Sequence, residues 1–191
     1  ILSMILSAIG VVFSRDLLVW MKTPKSVLKD SVLYLQIYCG GLIFNVIYNM
    51  ATGILNAAGN SKRPLIYLAI ASVTNIILDL VFIKALKWGV KGAAIATDIS
   101  QALSCVLAVG YLLRVNSDYK LIIKELKIHS NTAKQIIRVG LPTAIQNMVI
   151  SFSNVLVQSS VNSYGATAMA GYAAYLKIDG FNILPVLSIS M

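Results

Sequence analysis

Six apolar stretches follow one another along the chain, and short polar or charged segments separate them. A helix needs roughly 20 mostly apolar residues to cross a bilayer, at about 1.5 Å of rise per residue. The pattern predicts six membrane helices, at about 1–13, 31–58, 64–83, 89–113, 139–162 and 167–191, with the first continuing towards Met21. We expect the first and last to be incomplete, because the sequence begins and ends inside an apolar run.

Helix-breaking and basic residues mark the boundaries between these stretches. The run A-G-N-S-K-R-P, residues 58–64, combines a glycine stop, two cations and a proline start. The run K-A-L-K-W-G-V-K-G, residues 84–92, is a short basic turn whose tryptophan suits a membrane interface. We expect Pro142 to open the fifth helix and N-S-Y-G, residues 162–165, to end it.

Residues 114–138 interrupt the apolar pattern, because lysines such as Lys120 and Lys127 stand among aliphatic residues such as Leu121 and Ile122. The segment is too charged to span a bilayer. We interpret it as an amphipathic linker that lies on the membrane surface, between residues 1–113 and residues 139–191.

Composition supports a membrane protein. The 191 residues are 58% hydrophobic and 12% charged, with a mean hydropathy of +0.79, whereas soluble domains are about 25% charged. The net charge of +9 would suggest nucleic-acid binding in a soluble chain. Here the basic residues flank apolar runs, so we expect no nucleic-acid partner. The fold class predicted is an all-α integral membrane protein, a polytopic helix bundle in the lipid bilayer.

Polar side chains form stripes along single faces of the second to fifth helices, because they recur every three or four residues. One explanation is hydrogen bonding between packed helices. The other explanation is a water-filled cavity lined by four helices. The large number of amide side chains supports the cavity. The predicted cavity-lining residues are Asn45, Asn49, Thr52, Gln101, Asn147, Ser151 and Asn154.

Asp79 is the one formally charged residue within the apolar run 64–83. An acidic side chain at the centre of a membrane costs roughly 2.5–3.5 kcal/mol on insertion scales, so its presence needs a reason. It either hydrogen-bonds a neighbouring helix or reaches Lys84, or it binds a proton or a hard cation such as Na⁺. Binding of a proton or a cation is favoured, because Asn75 lies one turn earlier on the same side of the helix and offers an amide oxygen.

Other reactive residues give weaker signals. Asp98 and Asp179 are further acidic residues in apolar helices, and each is either a second proton site or a structural partner of a lysine. Cys39 and Cys105 lack metal-ligand spacing and are expected to be small core residues. With no paired histidines, His-Glu motif or cysteine cluster in the sequence, we predict no enzymatic activity and no cofactor.

Four motifs in order resemble a known family. They are L-N-A-A-G-N-S-K-R-P, N-I-I-L-D, G-V-K-G-A-A-I-A-T-D-I-S-Q and V-G-L-P-T-A-I-Q-N-M. The sequence resembles the MATE family, the multidrug and toxic compound extrusion transporters. The resemblance implies part of a twelve-helix, two-lobe transporter in the plasma membrane. Residues 1–113 would be helices three to six of the N-lobe, 114–138 the cytoplasmic interlobe linker, and 139–191 the start of the C-lobe. Its partners would be small organic substrates and the missing helices of the same chain.

The resemblance also implies a cation site. The DinF-like branch of the family uses an Asn and an Asp one turn apart in the fifth helix and a Thr in the sixth, which match Asn75, Asp79 and Thr97. That site also uses an Asp of the first helix, which this sequence lacks. The NorM-like branch carries a Glu in the seventh helix, where this sequence has no acidic residue between 139 and 162. The DinF-like branch is therefore the closer match.

The expected function is secondary active efflux, in which H⁺ or Na⁺ moves inward and organic, often cationic, compounds move outward. The alternative is a flippase for lipid-linked precursors or polysaccharides from the same wider superfamily. A flippase of this kind predicts cations in the cavity to hold pyrophosphate, and the second to fifth helices offer almost none within the membrane.

Overall fold

The structure, a computed structural model, describes residues 2–117, 119–123, 127 and 129–190, with the side chains of Leu2 and of residues 182–190 left aside. Six α-helices follow one another in the chain, and the described residues contain no strand. The helices are α1 (Leu2–Trp20), α2 (Lys25–Ala57), α3 (Lys62–Asp79), α4 (Gly89–Arg114), α5 (Ser130–Asn162) and α6 (Ala166–Ser190). The predicted all-α fold with six helices is confirmed.

Four of these helices are long and apolar enough to cross a bilayer. Within the part of the chain described, they are α1, α2, α4, and α3 together with the turn that follows it, Lys62–Ala85. That the fifth and sixth helices also span the membrane stays a prediction from the sequence.

The end of α3 departs from the predicted regular helix. After Asp79 the backbone widens into a π-helical turn, Leu80–Ala85, which closes with bonds from Leu86 N to Val81 O (3.0 Å) and from Trp88 N to Phe82 O (2.9 Å). Turns of this kind are rare and frequently occur at functional sites. Asp79 is therefore the last residue before the helix changes from α to π geometry.

Small residues line the buried face of α4. Gly92, Ala96, Ser100, Ser104 and Ala108 recur every fourth residue, and all are buried. Because lipid tails are as apolar as leucine, burial of large apolar side chains does not drive helices together in a bilayer. Small residues instead stabilise the contact by letting the helix backbones approach closely. These five residues therefore form one stripe along which a neighbouring helix can approach α4 closely.

A core cluster joins α2, α3 and α4 at the end where α2 finishes. Its buried members are Ala51, Leu55, Tyr67, Ala108 and Leu112. Polar bonds surround it, since the Tyr48 hydroxyl donates to Pro64 O (3.0 Å) and Asn60 Nδ2 donates to the Tyr111 hydroxyl (3.3 Å). The residues after α4 fold back onto this cluster, where Leu121 N donates to Leu112 O (2.9 Å).

The chain divides into two compact units, one of residues 1–15 and 30–127 and the other of 16–29 and 128–191. In the second unit, Asn162 at the end of α5 donates to Met21 O (2.7 Å) and accepts a bond from Gln158 Nε2 (2.8 Å). Gly165, at φ +96°, then makes the turn into α6. The N-S-Y-G segment ends the fifth helix as predicted.

The predicted start of the fifth helix is wrong. α5 begins at Ser130, so Pro142 lies inside the helix instead of opening it. The polar residues of 130–138, with the charged Lys134 and Arg138, lower the hydropathy on which the predicted boundary rests, and they do not interrupt the helix. The amphipathic, membrane-surface character of the linker stays a prediction, since residues 118, 124–126 and 128 lie outside the described residues.

Candidate functional site

A cavity of about 400 Å³ lies within the first unit, where α2, α3 and α4 each contribute one polar face. The spacing of three or four residues places one side chain per turn on its wall. Its lining residues are Asn45, Tyr48, Asn49, Leu68, Ala71, Ser72, Asn75, Thr97, Ser100, Gln101 and Ser104. The polar stripes of three helices therefore meet in one concave site.

The amide pair of α2 forms one wall. Asn49 Nδ2 donates both to Asn45 O (2.8 Å) and to Asn45 Oδ1 (2.8 Å), one helical turn away. These bonds use the donor group of Asn49 within its own helix. The Asn49 amide oxygen remains an acceptor that can face a ligand.

The hydroxyl groups of α4 also donate their hydrogens within their own helix. Thr97 donates to Ala93 O (2.9 Å), Ser100 to Ala96 O (2.7 Å) and Ser104 to Gln101 O (2.9 Å). A hydroxyl that gives its hydrogen to its own helix keeps oxygen lone pairs available. The α4 wall therefore offers acceptor oxygens, which suit a cation or a hydrogen-bond donor.

Two of the three residues predicted to bind a cation share this cavity, since Asn75 and Thr97 both line it. Asp79 lies one turn beyond Asn75 and lines a neighbouring groove of about 290 Å³ with Ile76, Leu80, Ile83 and Lys84. The cation-binding role of these residues stays a prediction.

Asn75 Nδ2 and Asp79 Oδ1 are both buried, and neither has a hydrogen-bond partner. A buried polar atom without a partner costs roughly 1–3 kcal/mol, and more when it is charged. Asp79 and Lys84 share a groove, but Asp79 Oδ1 accepts no hydrogen bond from the Lys84 ammonium. The two side chains are therefore available to a ligand.

The remaining predicted residues lie elsewhere. Thr52 has a buried hydroxyl oxygen without a partner and is not part of the cavity wall. Asn147, Ser151 and Asn154 are exposed on α5, which belongs to the second unit. Their role in a substrate path stays a prediction, as does any role of Asp179 on α6.

Sequence reasoning missed several parts of the site. Tyr48 and Leu68 give the cavity an aromatic and an aliphatic surface, and Ser100 contributes a hydroxyl. A signal was present for Tyr48 and Ser100, which lie three residues after Asn45 and Thr97 on the same helical faces. The described residues contain no group of three or more His, Cys, Asp and Glu side chains that would hold a transition metal.

Comparisons with known proteins identify the chain. The sequence model of the MatE family matches residues 1–81. The "Probable multidrug resistance protein YpnP" of Bacillus subtilis is 33% identical over 190 residues, which are 98% of this chain and 42% of that protein. Residues 1–81 are thus similar to the MATE family, and the similarity to a multidrug resistance protein runs along nearly the whole chain. MATE proteins are multi-pass membrane proteins, in agreement with its apolar helices.

Other relatives and solved structures support this assignment. "Probable multidrug resistance protein NorM" of Thermotoga maritima is 27% identical over 83% of this chain and 35% of its own length. A solved inward-facing "multidrug resistance MATE family transporter of the MOP superfamily" matches with a TM-score of 0.89 at 24% identity, over 97% of this chain and 43% of that one. The likeness to that structure shows a MATE fold.

The chain spans about 42% of the length of the curated relatives that it matches over most of its own length. The matches therefore correspond to a segment of a larger protein. The choice between the DinF-like and NorM-like branches stays a prediction.

Proposed function

We propose that this MATE segment is part of a secondary transporter that exports organic, often cationic, compounds in exchange for H⁺ or Na⁺ across the plasma membrane. Relatives are named multidrug resistance or multidrug export proteins, which supports export of small molecules. A transporter of this kind needs two things from the segment, a place for the substrate and a group whose affinity for an ion changes during transport.

The observation that carries the proposal is the buried carboxylate oxygen Asp79 Oδ1, which has no hydrogen-bond partner and lies one turn beyond Asn75 of the cavity wall. A carboxylate kept in a membrane helix without a partner is a functional residue by default. Asp79 binds the coupling ion. Asn75 and Thr97 contribute oxygen atoms when that ion is Na⁺, which prefers such ligands.

The cavity suits an organic substrate. Its volume of about 400 Å³ lies in the range of roughly 300–1,000 Å³ typical of small-molecule sites. Tyr48 and Leu68 provide apolar contact, while the acceptor oxygens of Asn49 and Thr97 bind donor groups. In the whole transporter, Asn147, Ser151 and Asn154 would line the substrate path from α5.

The cavity composition argues against the flippase alternative. The residues that line it include no lysine or arginine. A lipid-linked pyrophosphate carries several negative charges and requires cations or many donors to replace its hydration shell. The acceptor-rich wall of this cavity is the opposite of what such a headgroup needs.

Coupling follows from differential binding. An ion shifts the balance between inward-open and outward-open states only if it binds one state more tightly than the other. One charge that crosses a potential of 100 mV supplies about 2.3 kcal/mol. Asp79 suits this role because its surroundings would change when the helix that carries it moves against its neighbours.

The test uses the full-length transporter in membrane vesicles loaded with a fluorescent organic cation. Efflux is measured under an H⁺ gradient and, separately, under a Na⁺ gradient, for the wild type, Asp79→Asn and the control Asp30→Asn. Asp30 is an exposed carboxylate near the start of α2. We expect one gradient to drive efflux in the wild type and in Asp30→Asn, and neither gradient to do so in Asp79→Asn. Normal coupling in a folded Asp79→Asn protein would refute the assignment.

A further inference from the structure

A second groove, of about 370 Å³, lies beside the core cluster of α2, α3 and α4, and the described residues that line it differ from those of the cavity. We call it the interfacial groove. Positions 106, 110 and 114 are four residues apart, so the groove follows one face of α4 for about 12 Å. Its lining residues are Tyr67 of α3 and Val106, Leu107, Gly110, Tyr111 and Arg114 of α4.

The interfacial groove changes from apolar to cationic along its length. Val106 is 65% exposed at one end, in a helix that is long and apolar enough to cross a bilayer. Arg114, in the last turn of α4, is exposed at the other end. An arginine at the end of a membrane helix places its charge at the level of the lipid headgroups. The apolar end therefore faces the acyl chains, and the cationic end faces the headgroups.

Gly110 keeps the middle of the groove open. A Cβ atom built at this position meets no atom within 4 Å, so a side chain here would extend into the groove and not against another helix. A glycine inside a helix lowers stability relative to alanine. In membrane helices that loss is usually offset by close approach of a neighbouring helix, which Gly110 does not make. The missing side chain instead gives an acyl chain access to the backbone of α4.

A second arginine lies beside the cationic end. The Arg63 guanidinium of α3 lies 4.7 Å from the centre of the Tyr111 ring, and Asn60 Nδ2 donates to the Tyr111 hydroxyl (3.3 Å). A guanidinium that stacks on a ring directs its N–H groups sideways, towards other acceptors. Arg114 lies one turn after Tyr111 on the same helix face. One aromatic ring therefore has two guanidinium groups as neighbours.

The segment after α4 brings further positive charge to the same end. Leu121 N donates to Leu112 O (2.9 Å), which places the exposed Lys120 close to the last turns of α4. The acidic residue of this segment, Asp118, lies outside the described residues. A carboxylate engages two of the five N–H groups of an arginine when it binds in the bidentate manner. Arg114 therefore has donors for a further anion in either case.

These features select the class of ligand. Guanidinium groups bind phosphate through paired hydrogen bonds, while the apolar part of the groove favours hydrocarbon. A soluble phosphate would use the cationic end alone, and an organic cation would be repelled there. Basic pockets between membrane helices suit the headgroups of anionic lipids. An anionic phospholipid carries a phosphate and an acyl chain in one molecule.

We propose that the interfacial groove binds an anionic phospholipid, whose phosphate contacts Arg114 and whose acyl chain lies along Val106 and Gly110. Tyr111 holds Arg63 beside the phosphate. The bound lipid contacts Tyr67 of α3 as well as α4, and so stabilises the packing of these two helices. The site depends neither on the cavity nor on the ion that Asp79 binds.

The first test is native mass spectrometry of the delipidated full-length protein with phosphatidylglycerol or phosphatidylcholine of the same acyl chains. We expect phosphatidylglycerol to bind more tightly, and Arg114→Gln to weaken its binding about tenfold or more, because a charged hydrogen bond is lost. The control Arg138→Gln, exposed on α5, should change nothing. Equal affinity for the two lipids, or an equal effect of the two substitutions, would overturn the proposal.

The acyl-chain contact is tested with a small fluorophore on Val106→Cys. Phosphatidylglycerol with brominated chains should quench it more strongly than brominated phosphatidylcholine, whereas a fluorophore on the control Val73→Cys, 58% exposed on α3, should be quenched equally by both. Inorganic phosphate at constant ionic strength should leave the preference at position 106 unchanged. Equal quenching at that position contradicts the proposal. Loss of the preference in phosphate also contradicts it, since the groove would then bind a soluble anion.

Discussion

Gly92 packs closely against the π-helical turn, so we predict that a larger residue at this position lowers the stability of the protein. A Cβ atom at Gly92 would lie 2.9 Å from Phe82 Cβ, 3.2 Å from the Phe82 carbonyl carbon and 3.2 Å from Trp88 Cβ. The Phe82 carbonyl carbon belongs to the backbone, and both Cβ atoms are fixed to it. A side chain at position 92 must therefore push α4 away from the turn that follows Asp79.

Gly92→Ala should destabilise the protein by about 1–3 kcal/mol, the usual cost of overpacking, less a gain of roughly 0.5–1 kcal/mol from replacing a helical glycine. Gly110→Ala is the matched control in the same helix, because a Cβ atom at Gly110 meets nothing within 4 Å. Gly110→Ala should therefore show only the gain in stability that comes from replacing a helical glycine. The two substitutions, identical in chemistry, are thus expected to shift stability in opposite directions.

The assay is thermal unfolding of the full-length protein in detergent, followed by gel filtration of the protein that remains folded. We expect a lower midpoint for Gly92→Ala and an equal or higher one for Gly110→Ala. Ion-driven efflux should fall in Gly92→Ala as well, because the displaced turn carries Asp79 at its start. Equal midpoints for the two variants would show that the close contact at Gly92 does not limit the packing of α4.

Two further predictions concern the ion site. If Na⁺ is the coupling ion, Thr97→Val removes one oxygen ligand and keeps the side-chain shape, so Na⁺-driven efflux should fall about tenfold or more, while the control Thr97→Ser should change little. Efflux from vesicles under a Na⁺ gradient measures this, and a Na⁺-driven rate that survives in Thr97→Val would exclude the hydroxyl as a ligand. Lys84→Met removes the ammonium group from the groove of Asp79, a contribution of about 0.2–1 kcal/mol or up to roughly fivefold in ion affinity. The concentration of coupling ion that gives half-maximal efflux should therefore fall, whereas an unchanged ion dependence would show that Lys84 does not act on Asp79.

Patterns within single helices made much of the site predictable. The regular spacing of Asn45, Asn49 and Gln101 placed them on helix faces that meet in the cavity. The apolar run around Asp79 singles out that residue by its charge alone, and its carboxyl oxygen is buried without a partner. Rules of this kind point to candidate residues because the lipid environment penalises every polar side chain that lacks a partner or a function.

Features that depend on two helices were not predictable. The π-helical turn after Asp79 lies where Phe82 packs on Gly92 of α4, a contact between residues of separate helices. The contact of Asp98 with Gly41 likewise joins α4 to α2, and sequence spacing does not reveal which helices pair. The start of α5 at Ser130 was misplaced because hydropathy marks the part of a helix that lipid surrounds, and not the whole helix.

We propose that Asp79 binds the coupling ion and thereby controls the affinity for substrate. The most direct test is equilibrium binding of a fluorescent organic cation to the purified full-length protein over a range of pH and Na⁺ concentrations. Linkage requires that an ion which competes with the substrate weaken its binding. We predict that the dissociation constant rises with the coupling ion in the wild type and in Asp30→Asn, and stays constant in Asp79→Asn. An Asp79→Asn protein that binds the dye with the same ion dependence as the wild type would contradict the account.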